Sequence, residues 1–254
     1  MRTQFVLASL VPLAAALIGV GVPTAWSAND DGVRDWVTLA EQGLYAPARQ
    51  TLARIPDDER RLLALRAYLR AGDTLSERWS WSAAQIAAYP ASTEGREAGA
   101  ELQAVASAFA RDNPGYQLRI NLQPRSLERQ LQHWNTNASV ARTAHALATN
   151  LAHRWVGSRP GATVVRQALI QWTPPEAAAL AAPGLSPHGQ ARAFDFQIMH
   201  AGRVIAADDY ASAHRRWDIA GWTMRLQRAV MEAGPHLSGP LAIPYEPWHY
   251  AYRR

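Results

Sequence analysis

Ala193-Phe194-Asp195-Phe196-Gln197-Ile198-Met199 is the stretch that decides the architecture. Phe194, Phe196 and Ile198 alternate with Ala193, Asp195 and Gln197, which is the period of two expected of a strand. The aromatic face must pack inward, so Asp195 points to the other side. Ala201-Gly202 then reads as a turn, and Arg203 to Ala206 can pair back as a hairpin. Trp248, Tyr250 and Tyr252 alternate in the same way near the C-terminus and leave His249 on the opposite face. Asp195 and His249 can therefore converge from two strands, each with its aromatics on the far side.

Upstream of this stretch the period is helical. Val33, Trp36, Val37 and Ala40 share a face and Gly43 stops it; Pro47 suits the first turn of a second short helix. Leu62, Leu65 and Leu69 mark a third helix from about Asp57 to Ala71, ended by Gly72. A further helix ends near Asn113-Pro114-Gly115, and Leu118, Ile120 and Leu122 then alternate as a strand. Pro124-Arg125-Ser126 opens a helix carrying Leu127, Leu131 and Trp134, and another covers Val140 to Trp155. Thr173-Pro174-Pro175-Glu176 predicts a helix start, closed by Pro183-Gly184, and Trp217 to Val230 predicts the last helix. The order has no regular βαβ alternation. It predicts an α+β fold, a small antiparallel sheet with helices, preceded by an all-helical N-terminal extension. The expected division is 1–27 as a leader, 28–94 as the helical extension and 95–254 as the domain carrying the chemistry.

The chain of 254 residues has no cysteine, so disulfides, thiolate metal sites and a cysteine nucleophile are excluded. All 26 basic residues are arginine, which also excludes a lysine nucleophile. A formal charge of +5 favours an anionic surface such as an envelope polymer or a membrane. The arginines are scattered and no nucleic-acid-binding motif accompanies them, so no nucleic-acid partner is expected. Arg2, the apolar run Phe5 to Val22 and the small residues of Ala25-Trp26-Ser27 predict a cleaved signal peptide, with an uncleaved anchor as the alternative and the sole expected membrane link. Either way the remainder is exported, to the periplasm or cell envelope. Oligomeric state has no signature in the chain.

Ser186-Pro187-His188 leads seven residues later to Asp195, and Glu246-Pro247-Trp248-His249-Tyr250 comes near the end. Two histidines and a carboxylate can hold one zinc ion with a fourth position left for water, and Glu246, three residues before His249, suits a general base. The other histidines (His133, His145, His153, His200, His214 and His236) belong to no motif. Asp208-Asp209 precede a helix and read as capping residues, and the Trp and Tyr residues around His249 read as core.

The segment from Ser186 to Asp195 resembles the S-x-H-x-x-G-x-A-x-D motif of the zinc D-alanyl-D-alanine carboxypeptidases of the VanY/VanX type. Glu246-Pro247-Trp248-His249 resembles that family's E-x-W-H motif, and Arg125-Ser126 followed by Gln130 resembles its arginine segment. The resemblance covers roughly residues 95–254. It implies the hedgehog/DD-peptidase fold and an exported metallopeptidase acting on peptidoglycan stem peptides. It implies His188, Asp195 and His249 as ligands of one zinc per chain and Glu246 as the base. Arg125 would stabilise the oxyanion, Ser186 would bind the substrate carboxylate, and Gln130 would line the pocket. Removal of a terminal D-alanine leads; an L,D-carboxypeptidase, a D,D-endopeptidase and a non-catalytic envelope-binding module stay open. Ala191 stands where the family usually has glycine, and Gln123-Pro124 where it usually has Gly-Tyr.

Overall fold

Asp57, Ser82, Ser92, Ser126 and Asn137 each precede a helix and accept a hydrogen bond from a backbone N–H of its first turn. Such caps satisfy donors that the helix itself leaves open, and they fix where helices begin. The computed structural model describes residues 30–253. The helices are α1 (Asp30–Ala40), α2 (Ala46–Leu52), α3 (Asp58–Ala71), α4 (Ala83–Ala88), α5 (Thr93–Asp112), α6 (Leu127–Thr136), α7 (Ala138–Arg154), α8 (Ala162–Gln171) and α9 (Trp222–Ala233). The strands are β1 (Tyr116–Asn121), β2 (Ala193–His200), β3 (Arg203–Ala206), β4 (Leu237–Ser238) and β5 (His249–Tyr252). They form one antiparallel sheet in the order β1-β2-β5-β4, with β3 paired to β2. The molecule is thus α+β with a small antiparallel sheet.

Two hydrophobic cores divide the chain differently from the expected boundary at residue 94. The first joins α1 to α3 with α6 to α8: Trp36, Leu62, Leu65 and Tyr68 pack with Leu147 and Leu151, all 5% exposed or less. Trp36 meets Trp155 edge to face at 5.0 Å between ring centroids. The second joins α5, the sheet and α9 through Phe109, Phe196, Trp217, Leu226 and Tyr250. Residues 30–79 of the expected extension are therefore not separate, because the apolar faces of α1 to α3 find their partners in α6 to α8. An amphipathic face seen in the sequence does not say which later helix will cover it.

Three expected elements differ. Thr173 to Pro183 is not helical, and α8 stands before it instead. The segment gives its backbone groups to a neighbouring helix in place of a helical ladder of its own. It runs across α7, where Thr143 Oγ donates to the Glu176 carbonyl at 3.2 Å and Ala179 N donates to Ser139 Oγ at 2.9 Å. The helix expected over Trp217 to Val230 is broken: a π-turn, Ala213–Asp218, precedes Gly221 at φ +77, and α9 starts anew at Trp222. β1 stops at Asn121, leaving Leu122 59% exposed. No described helix is long and apolar enough to cross a membrane. The expected leader over residues 1–27 lies outside the described residues.

Because the first core is shared, a chain starting at Ser92 is expected to lose the cooperative thermal transition followed by far-UV circular dichroism. A sharp transition with native helix content in α6 to α8 would show that those helices close a core without α1 to α3.

Candidate metal centre

Strand pairing places two of the three candidate ligands. In the antiparallel register of β2 and β5, Asp195 stands directly opposite His249, and Phe194 opposite Tyr250. Directly opposed side chains on one face are about 5 Å apart at Cβ, within reach of a shared ion. His188 comes from a 3-10 turn, Pro187–Gln190, just before β2. The three residues are buried, and one donor atom from each lies within 4.8 Å of the others. His188 Nε2 is 3.2 Å from His249 Nδ1, His249 Nδ1 is 3.0 Å from Asp195 Oδ1, and His188 Nε2 is 3.4 Å from Asp195 Oδ2. This buried His-Asp-His triangle could hold a metal ion.

Its electrostatics favour the ligating forms. Burial pushes the His188 imidazole below its ordinary range, against the pull of Asp195, and so keeps it neutral. Burial works against the Asp195 carboxylate too, but hydrogen bonds and charge from His188 and His249 outweigh it and hold the carboxyl well below the usual range. A neutral imidazole and an ionised carboxylate are what metal binding requires. Arg125 Nη2 donates to Asp195 Oδ2 at 2.9 Å, while its side chain stays 37% exposed. Glu246 Oε2 lies 3.5 Å from His249 Nδ1, and burial pushes its carboxyl up, with Asp195 and Asp208 adding to the effect against His249 and Arg125. The Glu246 loop is pinned twice, by Glu246 N donating to the Leu241 carbonyl at 2.9 Å and by Tyr245 Oη donating to Asp218 Oδ1 at 2.6 Å.

A net of amide hydrogen bonds ties the His188 turn to the helical half. Gln190 Nε2 donates to the carbonyls of Glu77 and Trp79, at 2.6 and 2.9 Å. Ser80 N donates to the Gly184 carbonyl and Trp81 N to the Gly189 carbonyl, while Arg125 N donates to the His188 carbonyl at 3.1 Å. Gln130 is buried behind the turn. Its amide nitrogen donates to Ser80 Oγ and the Arg125 carbonyl, and its oxygen accepts from Gly184 N. Gln130 thus shapes the ligand loop rather than facing open space. A Cβ on Gly189 would sit 2.0 Å from Ser80 Oγ and 2.7 Å from Gln130 Nε2, so only glycine fits there. Ser186 is buried at the start of the turn, and its hydroxyl does not cap it.

Two polar residues at this site escaped the sequence reading. Asp209 is a cap, accepting from Ser212 N at 3.0 Å, but Asp208 instead accepts a hydrogen bond from Gln197 Nε2. Gln197 follows Asp195 by two residues and so shares its face; its Oε1 is buried without a hydrogen-bond partner among the described residues. Period two along β2 was the signal for Gln197, whereas nothing local distinguished Asp208 from its neighbour.

Ala191 ends the ligand turn in the left-handed region, at φ 54 and ψ 20. That conformation costs an L-residue about 1–2 kcal/mol and a β-branched one more. Ala191→Gly gains this relief but adds roughly 0.4–1 kcal/mol of unfolded-chain entropy, so its urea midpoint is expected to stay close to the parent. Ala191→Val is expected to lower stability by about 1–2 kcal/mol in the same melts; equal stability for Val would show that the turn relaxes out of this conformation. No protein-family model, curated protein or solved structure matches this chain, so the functional reading rests on the geometry and the motif segments alone.

Proposed function

We propose that the chain is an exported zinc metallopeptidase that hydrolyses peptidoglycan stem peptides, most simply as a D-alanyl-D-alanine carboxypeptidase. The observation that carries the reading is the His188, Asp195 and His249 triangle with Glu246 and Arg125 at its rim. Three segments far apart in the chain, each resembling a motif of one peptidase family, meet at this place. The hedgehog/DD-peptidase fold is proposed on the same ground.

The donor set fits zinc. A tetrahedral ion with bonds of about 2.0–2.1 Å needs ligand atoms about 3.3 Å apart. Here the two histidine nitrogens are 3.2 Å apart, His249 Nδ1 is 3.0 Å from Asp195 Oδ1 and His188 Nε2 is 3.4 Å from Asp195 Oδ2, so the carboxylate reaches the two nitrogens with different oxygens. Nitrogen and carboxylate donors in a buried, cysteine-free site suit zinc over calcium or magnesium, which take mainly oxygen ligands. Arg125, donating to Asp195 Oδ2, orients that carboxylate as a supporting partner.

Zinc bound there supplies an acidified water and a positive charge for the peptide carbonyl. Glu246 takes the proton of the attacking water as its oxygen bonds to the carbonyl carbon. The same carboxyl then gives that proton to the amide nitrogen as the C–N bond breaks. A carboxyl raised by burial is suited to both steps near neutral pH. The exposed N–H groups of Arg125 meet the carbonyl oxygen as it gains negative charge, a contribution of the kind worth roughly 10²–10³ in rate. The Ser186 hydroxyl is the candidate for the terminal carboxylate, while Gln130 supports the loop that presents it. Export to the cell envelope places the enzyme with its substrate.

The test uses purified protein with muropeptides ending in D-Ala-D-Ala or in a single D-Ala, read by mass spectrometry with chelator and zinc add-back. Loss of one alanine from the pentapeptide, abolished by chelator and restored by zinc, is expected. Loss from the tetrapeptide alone moves the assignment to L,D, and cutting of cross-links alone moves it to an endopeptidase. Glu246→Gln is expected to lower turnover by about 10²–10⁴ while keeping one zinc per chain. His249→Ala is expected to lose the zinc. Bound zinc without cleavage of any muropeptide would favour a binding module, and no zinc at all would end the proposal.

A further inference from the structure

A cleft of about 770 Å³ is not lined by the three candidate ligands but lies between the 76–87 segment and the loop that carries Arg125. Its walls include Pro124 and Ser126, which flank Arg125, and Ser80 and Trp81, which are hydrogen-bonded to the 184–189 loop. A volume of this size is typical of a small-molecule site.

The lining chemistry narrows the ligand. No arginine or histidine lines the cleft, although the chain carries a formal charge of +5; two exposed carboxylates, Glu77 and Glu128, do. An anionic ligand is disfavoured. An extended peptide adding to an edge is disfavoured as well, because the main chain of this wall is already engaged. Ser80 N and Trp81 N donate to Gly184 and Gly189, and the carbonyls of Glu77 and Trp79 accept from Gln190. Recognition there falls to side chains: the Ser76 hydroxyl, the Gln85 amide nitrogen and the rings of Tyr45 and Trp81, while the Ser82 hydroxyl and Gln85 Oε1 hold each other in the cap of α4. Trp81 is held rigid, with the Arg192 guanidinium 5.0 Å over its ring and Arg192 bound in turn by both oxygens of Glu94 at 2.6 and 2.7 Å. A fixed aromatic ring beside convergent hydroxyl, amide and carboxylate groups matches a neutral sugar ring, apolar on its C–H face and rich in hydroxyls at its edge.

We propose that this cleft binds a saccharide, the glycan from which a stem peptide hangs, and so selects polymer-linked peptide over free peptide at the adjoining centre. The second half of this inference rests on the peptidase reading; the first half does not. The full chain is titrated with the N-acetylglucosamine tetramer, with tryptophan fluorescence and ligand-observed NMR as readouts. Saturable binding is expected, weakened at least about tenfold by Trp81→Ala, which removes the platform. Ala87→Arg, on the exposed side of α4, fills the cleft while keeping all the aromatic packing, and is expected to weaken binding equally. No saturable binding, or binding unchanged in both variants, overturns the proposal, as does preferential capture of polyphosphate at the same residues. In parallel, cleavage of a disaccharide-linked stem peptide is compared with cleavage of the free peptide, and a higher rate on the linked form is expected. Equal cleavage of both without tetramer binding would overturn the saccharide site and leave the peptidase reading intact. Tetramer binding with no cleavage of either would do the reverse.

Discussion

The pairing of Asp195 with His249 across β2 and β5 is the constraint on which the rest of the site depends. A strand register admits no partial slip: a shift of one residue would send His249 to the aromatic side and bring Tyr250 opposite Asp195. Phe194, Phe196, Trp248, Tyr250 and Tyr252 all bury on the far side and hold the register with their packing. The core of the sheet half and the candidate ligands are thus two faces of one arrangement. Aromatic burial of this kind contributes roughly 25 cal/mol per Å² of apolar surface, and most of it would be lost on a slip.

His188 is held differently. It sits on a turn whose backbone and amide partners come from Glu77, Trp79, Ser80 and Trp81, so the helical half acts as the jig for the third candidate ligand. Buried amides such as Gln130 and Gln190 are costly unless every group is paired, and here they hold carbonyls and N–H groups that the loop would otherwise leave open. Arg125 closes the arrangement by binding both the His188 carbonyl, through its main chain, and Asp195, through its side chain.

The strands, their inward aromatics and the residues of the metal triangle were legible in the sequence because period two is a local signal and each ligand sits within a few residues of its packing partners. The helix starts near Asp57 and Ser126 were legible for the same reason. What could not be read were matters of long-range partnership. The faces of α1 to α3 gave no hint that α6 to α8 would cover them. Gln130 looked like a pocket residue and proved to be a brace. Asp208 and Asp209 looked alike, and only the fold separates the one beside Gln197 from the one that caps. The Thr173 segment carried good helix-start chemistry, but its backbone bonds to α7 instead.

Both cores are assembled from chain segments that interleave: 30–79 pairs with 127–185, and 93–121 pairs with 193–253. Neither half can therefore complete itself while the chain is being delivered from its N-terminus. The first helices wait with open faces for partners some sixty to one hundred and thirty residues downstream, and β2 waits for β5 to arrive more than fifty residues later. Such non-local closure is slow and leaves apolar surface exposed meanwhile. It also imposes an order, since the triangle can form only after His249 has been released. An incomplete chain lacks this centre, and the arrival of its last strand is the event that assembles it.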